Sequence, residues 1–470
     1  MTRAEQATTD RATTDRATGD RATGDRATGD RATGDRATGD RTTGGRATGD
    51  RTTGGRAADP SADVAIVGGG LVGGTLALLL ADAGFSVTLV DRADPAAGLD
   101  AGFDGRASAI ALATHRVLAA AGLWDHLGPR SSPIRDIRVA DAGSLLFLHY
   151  DHSLVGDAPF GYMIENRDLR RALYDAQRAA RNLTVLAPAG ITAMDLDPAG
   201  ARLTLADGRI LGARLIVGAD GRASRTRAWA GIRTTGWDYG QTGIVCTVDH
   251  ERPHGFVAHE HFLAAGPFAI LPIKGAAGRE QHQSSLVWTE RDALAPALMA
   301  LSDDDFLAEL ALRFGDFLGS LALVGPRWSY PLSLLLAERA TAPRFVLAGD
   351  ALHGMHPIAG QGLNMGLRDV AVLAEVLADA KALGLDLGSS AVLEDYERGR
   401  RFDNSLMLGM TDALNRLFSN AVPPLRLARD LGLGAVNALP ELKKLFMRHA
   451  MGEVGELPRL MRGETLSPPS

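Results

Sequence analysis

From Val64 onward the chain divides into apolar runs punctuated by glycines and charged residues. VAIV (Val64–Val67) is short enough for a buried strand, and glycines follow it at once. Leu71–Ala83 is apolar almost throughout and stops at Gly84, as a helix would. Phe85–Val90 is the next strand-length run and closes on Asp91. Strand, helix and strand in this order predict a βαβ unit with a parallel strand pair. Two later apolar runs have the same strand character: one precedes Gly218, Asp220 and Gly221, the other precedes Gly349 and Asp350. Leu363–Leu377 is predicted as a long helix, whereas Gly243–Val248 and Ser285–Trp288 alternate as half-buried strands do.

The first sixty residues stand apart. From Arg11 they repeat a pentapeptide that settles into RATGD, and they contain no Val, Ile, Leu, Phe, Trp or Tyr. Eleven basic residues there face ten acidic ones, so residues 1–60 have nothing to bury and are predicted to be disordered and without function. The remaining chain is long enough for two interleaved domains, and its 39 basic against 46 acidic residues leave no basic footprint for nucleic acid. Cys246 is the single cysteine, which excludes an internal disulfide framework and suits a reducing compartment. Val64–Ala81 lacks charge over eighteen residues, but five of them are glycines, a poor composition for a membrane-spanning helix.

Those glycines have individual explanations. Gly68, Gly70 and Gly73 form G-x-G-x-x-G between a strand and a helix. The first permits a tight turn, the second lets backbone approach a pyrophosphate, and the third lets helix and strand pack closely. The helix N-terminus offers free N–H groups to phosphate, and Asp91, followed by Arg92, stands where a carboxylate meets an adenosine ribose. A dinucleotide site follows, with FAD and NAD both open from this unit alone. Asp220 and Asp350 each add a carboxylate just beyond a strand, where cofactors sit in open α/β sheets.

These three elements in this order resemble the flavoprotein monooxygenases of the p-hydroxybenzoate hydroxylase type. HPIAGQGLNMGLRD (His356–Asp369) matches the diagnostic pattern of their ubiquinone-biosynthesis branch, the UbiH/Coq6-like family. The resemblance extends from Ala62 to about Gly452 through FDGRAS around Arg106, MIENRDL around Glu165 and Asn166, and HEHFLAAGPFAILPI (His259–Ile273), where the family often has an aromatic residue in place of His259. It implies an α/β fold: a Rossmann-like FAD-binding domain (61–135, 160–232 and 340–420) with an interleaved mixed-sheet substrate domain (136–159 and 233–339), then C-terminal helices and a tail (421–470).

It also implies FAD as cofactor, NAD(P)H as transient reductant and O2 as co-substrate. Family members hydroxylate a phenol through a C4a-hydroperoxyflavin, with no acid–base triad, and here the substrate would be a polyprenyl phenol. Gly68, Gly70, Gly73, Asp91, Arg92, Arg106, Asp220, Gly349, Asp350, Gly362 and Asn364 are the expected cofactor contacts. Pro357, Gly360, Gln361 and Gly362 would lie beside the flavin ring, with His356 and His353 lining the substrate pocket or holding the flavin loop, and Asp369 serving the helix. His259 and His261 share a strand face as metal ligands could, but no further ligands accompany them and no metal is expected. The expected setting is the bacterial cytoplasm with peripheral contact at the inner membrane face, other ubiquinone-biosynthesis proteins nearby, and a homo-oligomer. Pro423–Gly452 reads either as an interfacial amphipathic element or as a helix docked on its own domain. The competing functional readings are a flavin monooxygenase for another phenol and a non-catalytic flavin-binding subunit.

Overall fold

The computed structural model describes residues 62–100, 106–141, 147–418, 432 and 436–466. The pentapeptide repeat lies outside them. A first sheet runs Thr341–Ala342, Phe345–Leu347, Ile210–Gly218, Ala62–Val67, Val87–Val90 and Leu183–Leu186, with Gly200–Leu205 and Ile191–Asp197 branching from the third of these. Four pairings in its centre are parallel. Val67 stands level with Val90 and Gly218, and Gly218 with Leu347. Parallel register therefore delivers Gly68, Asp91, Ala219 and Gly349 to one sheet edge, though they are far apart in sequence.

The glycine-led helix, Leu71–Asp82, begins and ends close to the predicted limits. Its end is set by Gly84, at φ +78°, and by the Phe85 N–H donating to the Leu80 carbonyl at 3.0 Å. Phe85 is used by this helix stop, so the following strand starts at Val87, two residues later than the apolar pattern suggests.

A second sheet runs His353–Gly354, Leu321–Ala337, Thr234–His250, Gln283–Arg291, Gly266–Ile273, Val257–Leu263, Asp136–Asp141 and Phe147–Asp151. Alternation gives its two faces different tasks. Ile244, Cys246, Phe268, Leu286 and Trp288 point one way and pack on Phe306, Leu310 and Phe314 of the Asp303–Phe314 helix. Pro267, Ala269, Leu271, Val287 and Thr289, on the opposite face, line a large cavity. His353–Gly354 lies in a segment expected to belong with the first sheet, yet it pairs with Leu335 and Leu336 of the second. A small sheet of Ala107–Ala111, Gly161–Glu165 and Ser132–Ile134 stands beside the cavity.

The helix Gln361–Ala382 joins these parts. It starts two residues before the predicted Leu363, because Gly360 in the left-handed conformation supplies the N-cap. A Cβ on Gly366 would approach Val72 Cγ2 to 2.7 Å, and one on Gly349 would meet the same side chain at 3.1 Å. Val72 thus sits in a notch made by two glycines, and the two long helices start side by side.

Asp369, fully buried in this helix, accepts from the Gly349 N–H at 2.9 Å, meets His353 Nε2 at 2.7 Å and accepts from Arg400 Nε at 2.6 Å. Burial alone would raise its carboxyl; His353 and Arg400 override that and hold it below the ordinary carboxylate value. Arg400 also donates to Asp403 and Asn404 on its own helix, Ser390–Phe418. Replacing Asp369→Ala strands a buried guanidinium and a buried N–H, and is expected to cost about 3–5 kcal/mol. Urea unfolding followed by tryptophan fluorescence checks this; a loss under about 1 kcal/mol would show that the network is dispensable.

Candidate active site

The cavity between the two sheets has a volume of about 1050 Å³. Two helices open onto it by their N-termini, through Gly70 and Leu71 on one side and Gly360, Gln361 and Gly362 on the other. Neither N-cap contributes a side-chain hydrogen bond. The positive dipole ends of both helices therefore point at one space with no capping side chain between.

The glycines of the first loop separate into packing and access roles. Gly68, at φ +108°, lies so close to the neighbouring strand that a Cβ would come within 2.2 Å of the Ala219 carbonyl oxygen. A Cβ on Gly73 would come within 2.1 Å of the Gly68 carbonyl oxygen. Gly70 and Gly362 differ: a Cβ on either meets no protein atom within 4 Å. Their missing side chains keep open a space that the protein itself does not fill.

Asp91 accepts from the Gly69 N–H and from the Ala93 N–H, which braces the loop. It and the exposed Arg92 lie beyond the cavity lining. Arg106 lines the cavity and holds its guanidinium 5.3 Å from the Tyr330 ring centre. Asp220 points elsewhere. Its oxygens accept from Ser224 and Thr226 hydroxyls at 2.6 and 2.7 Å and from the Arg225 and Thr226 N–H groups, so it caps the start of the Arg225–Trp229 helix. Gly221 and Arg222 reach the cavity in its place. Asp350 is exposed and lines the cavity directly behind the Gly349 turn.

Pro357, Gly360, Gln361, Gly362 and Asn364 all line the same space. The Asn364 amide is fully engaged: it donates to the Ala109 and Gly360 carbonyls and accepts from the Ala111 N–H at 2.9 Å. Its role is to stitch the helix start to the small sheet. Asn166 lines the cavity and accepts from Ser108 at 2.6 Å, whereas Glu165 pairs outward with Arg167. His353 belongs to the Asp369 network. His356 is wholly buried, neither ring nitrogen has a partner among the described residues, and burial pushes it down to about 4, which keeps it neutral. Its ring meets Tyr239 edge-on at 5.3 Å.

His259 borders the cavity, but its ring packs on Phe317 at 4.6 Å and lies 6.0 Å from the His261 ring. Among the described residues no group of three or more His, Cys, Asp or Glu is placed to hold a metal ion. The residue between these histidines was not singled out from sequence: Glu260 faces the chamber, and burial pushes its carboxyl up to about 8. Strand alternation was the available signal, but it cannot say which face fronts a cavity.

Beyond the glycine helices the lining becomes largely hydrocarbon, with Ile137, Leu148, Phe262, Met407, Leu414 and Phe418 among its residues and a few polar groups such as Tyr150, Glu260 and Thr411 between them. The Pro440–Ala450 helix closes it: Met447 is fully buried and Phe446 and Ala450 line the cavity. This described part of the Pro423–Gly452 stretch is docked on its own chain.

An FAD binding domain family model matches residues 61–404. The chain is 57% identical to ubiquinone hydroxylase UbiL of Rhodospirillum rubrum over 412 residues, covering 87% of this chain and 94% of that protein. It is 35% identical to 3-demethoxyubiquinol 3-hydroxylase of Escherichia coli over 392 residues, covering 83% and 98%. The chain belongs to the FAD-dependent ubiquinone-biosynthesis hydroxylase family. Its fold is shared with p-nitrophenol 4-monooxygenase PnpA from Pseudomonas putida, at a TM-score of 0.69 and 19% identity over 84% of this chain and 99% of that one.

The cavity fits FAD on structural grounds. Two helix N-termini whose glycine caps bring no side chain suit its pyrophosphate and the electron-rich edge of its ring, and the open positions at Gly70 and Gly362 leave room for both. Gly70→Ala is therefore expected to fold as stably as the parent, within about 0.5 kcal/mol, because the added Cβ meets no protein atom within 4 Å. The same variant should bind FAD at least about tenfold more weakly, a loss near 1.4 kcal/mol. Flavin absorbance per chain and thermal unfolding of the flavin-free form report the two effects separately; a fully yellow variant would count against this placement.

Proposed function

We propose that this protein hydroxylates the aromatic ring of a polyprenyl phenol in ubiquinone biosynthesis. The observation that carries the reading is the continuity of one cavity, from the glycine-capped helix starts to the hydrocarbon chamber beyond them. Bound FAD, reduced by NAD(P)H, supplies an electrophilic oxygen atom from O2. In balance, a ring C–H becomes C–OH, the second oxygen leaves as water, and NAD(P)H is oxidised.

The chain's own residues bind, orient and exclude. The Leu71–Asp82 N-terminus and Asp350 would hold the dinucleotide, with Arg106 at the cavity wall and Asp91 bracing the loop. The Gln361–Ala382 N-terminus would hold the ring system, where its dipole would favour negative charge on the reduced cofactor. Pro357 and Gly360–Gly362 present backbone rather than side chains to a flat surface. Phe262, Met407, Leu414 and Phe418 keep water from the reaction space and give a prenyl chain a hydrocarbon surface. In the same reading the substrate is drawn from a membrane surface, beside which Leu439 and Leu445 would lie exposed near Lys443 and Lys444. No helix among the described residues is long and apolar enough to cross a membrane.

FAD-loaded protein given NAD(P)H, O2 and a prenylated phenol is expected to form a product heavier by one oxygen atom. A strain lacking the gene should accumulate the ubiquinone precursor that lacks one ring hydroxyl. NAD(P)H oxidation that yields hydrogen peroxide alone, with the phenol recovered unchanged and no precursor accumulating in the strain, would refute the reading.

A further inference from the structure

We propose that Glu260 is the polar anchor for the substrate: its side chain hydrogen-bonds the ring hydroxyl of the phenol within the hydrocarbon part of the chamber. The inference rests on the phenolic substrate proposed above and assigns the group that would recognise it.

The geometry begins with the strand Val257–Leu263, which lies between Gly266–Ile273 and Asp136–Asp141. Side chains alternate along it. His259 and His261 turn toward Phe317 and Phe268, whereas Ala258, Glu260 and Phe262 line the chamber. In register, Glu260 stands between Val139 on one neighbouring strand and Ala269 on the other, and both also line the chamber. None of these four neighbours has a polar side-chain atom. Among the described residues the Glu260 side chain makes no hydrogen bond and no ion pair, and no neighbouring charge contributes to its raised proton affinity.

An unpartnered carboxyl among hydrocarbon groups opposes folding. Its partner must come from whatever occupies the chamber. Held neutral by burial, the carboxyl offers one O–H donor and a carbonyl acceptor. A phenol hydroxyl also donates once and accepts, so the two can pair in both directions without water. The pocket therefore has a hydrocarbon surface for the prenyl chain and, on the sheet face that also carries the Tyr150 and Thr289 hydroxyls, a carboxyl for the ring. A site that meets a substrate hydroxyl in this way discriminates against analogues that lack it, because its own polar group is left unpaired.

The test uses FAD-loaded protein with 2-farnesylphenol and its methyl ether as probes, and reads binding by quenching of flavin or tryptophan fluorescence without NAD(P)H. The parent is expected to bind the phenol at least about tenfold more tightly than the ether. Glu260→Leu should lower phenol affinity to that of the ether and leave ether binding within about twofold, while Glu260→Gln keeps most of the preference. The thermal midpoint of Glu260→Leu should equal or exceed the parent's, since an unpaired carboxyl has been removed. A phenol preference that survives in Glu260→Leu overturns the assignment, as does a parent that binds both probes equally, and in either case the chamber reading stands. A lowered midpoint with loss of flavin in Glu260→Leu also overturns it, by showing a structural role. A parent that binds neither probe removes the phenol reading together with the anchor.

Discussion

Asp369 carries a charge with no water to share it, and three separate parts of the chain are placed to meet it. The Gly349 N–H comes from the turn after a parallel strand, His353 from the strand that follows, and Arg400 from the next long helix. A buried carboxylate is tolerated only when its hydrogen bonds are made, so these parts cannot shift independently. The consequence reaches the site: the Gly349 turn, the start of the Gln361–Ala382 helix and Val72 on the glycine-led helix are fixed against one another. The aim of two helix N-termini at a single space depends on that fixed arrangement.

The cavity is polar at one end and hydrocarbon at the other because two differently built sheets meet there. Parallel strands end together, so their turns crowd glycine backbone and helix starts along one edge. The second sheet has antiparallel strands at its centre, where alternation leaves one face for its own core and the other for the chamber. In the proposed reading, cofactor chemistry belongs to the first edge and substrate recognition to the second face. On that reading the reacting ring sits where they adjoin.

Much of this frame was legible in the residues. Strand, helix and strand around Gly68, Gly70 and Gly73 fell within one or two residues of their observed limits, because glycine spacing and apolar run length report local geometry directly. Asp220 shows where that legibility stops. A carboxylate after a strand looks the same in sequence whether it meets a ligand or caps the next helix, and only Ser224 and Thr226 folding back on it decide the matter. Asn364, expected as a cofactor contact, does line the cavity, yet its amide is occupied by Ala109 and Ala111, residues more than 250 positions away. Glu260 stayed hidden for a related reason: its neighbours Val139 and Ala269 come from other strands, and no local pattern states that a charged residue will find only hydrocarbon opposite it.

The long reach of these contacts bears on biosynthesis of the protein. Asn364 bonds to Ala111, Arg116 bonds to the Met461 carbonyl, and the Pro440–Ala450 helix covers a chamber floored by strands that begin at Asp136. A nascent chain still held by the ribosome has the first glycine loop but lacks the helices that complete the cradle. Flavin capture must therefore await release of nearly the whole polypeptide, and a truncation near the C-terminus would remove a wall of the chamber while leaving the dinucleotide fingerprint untouched.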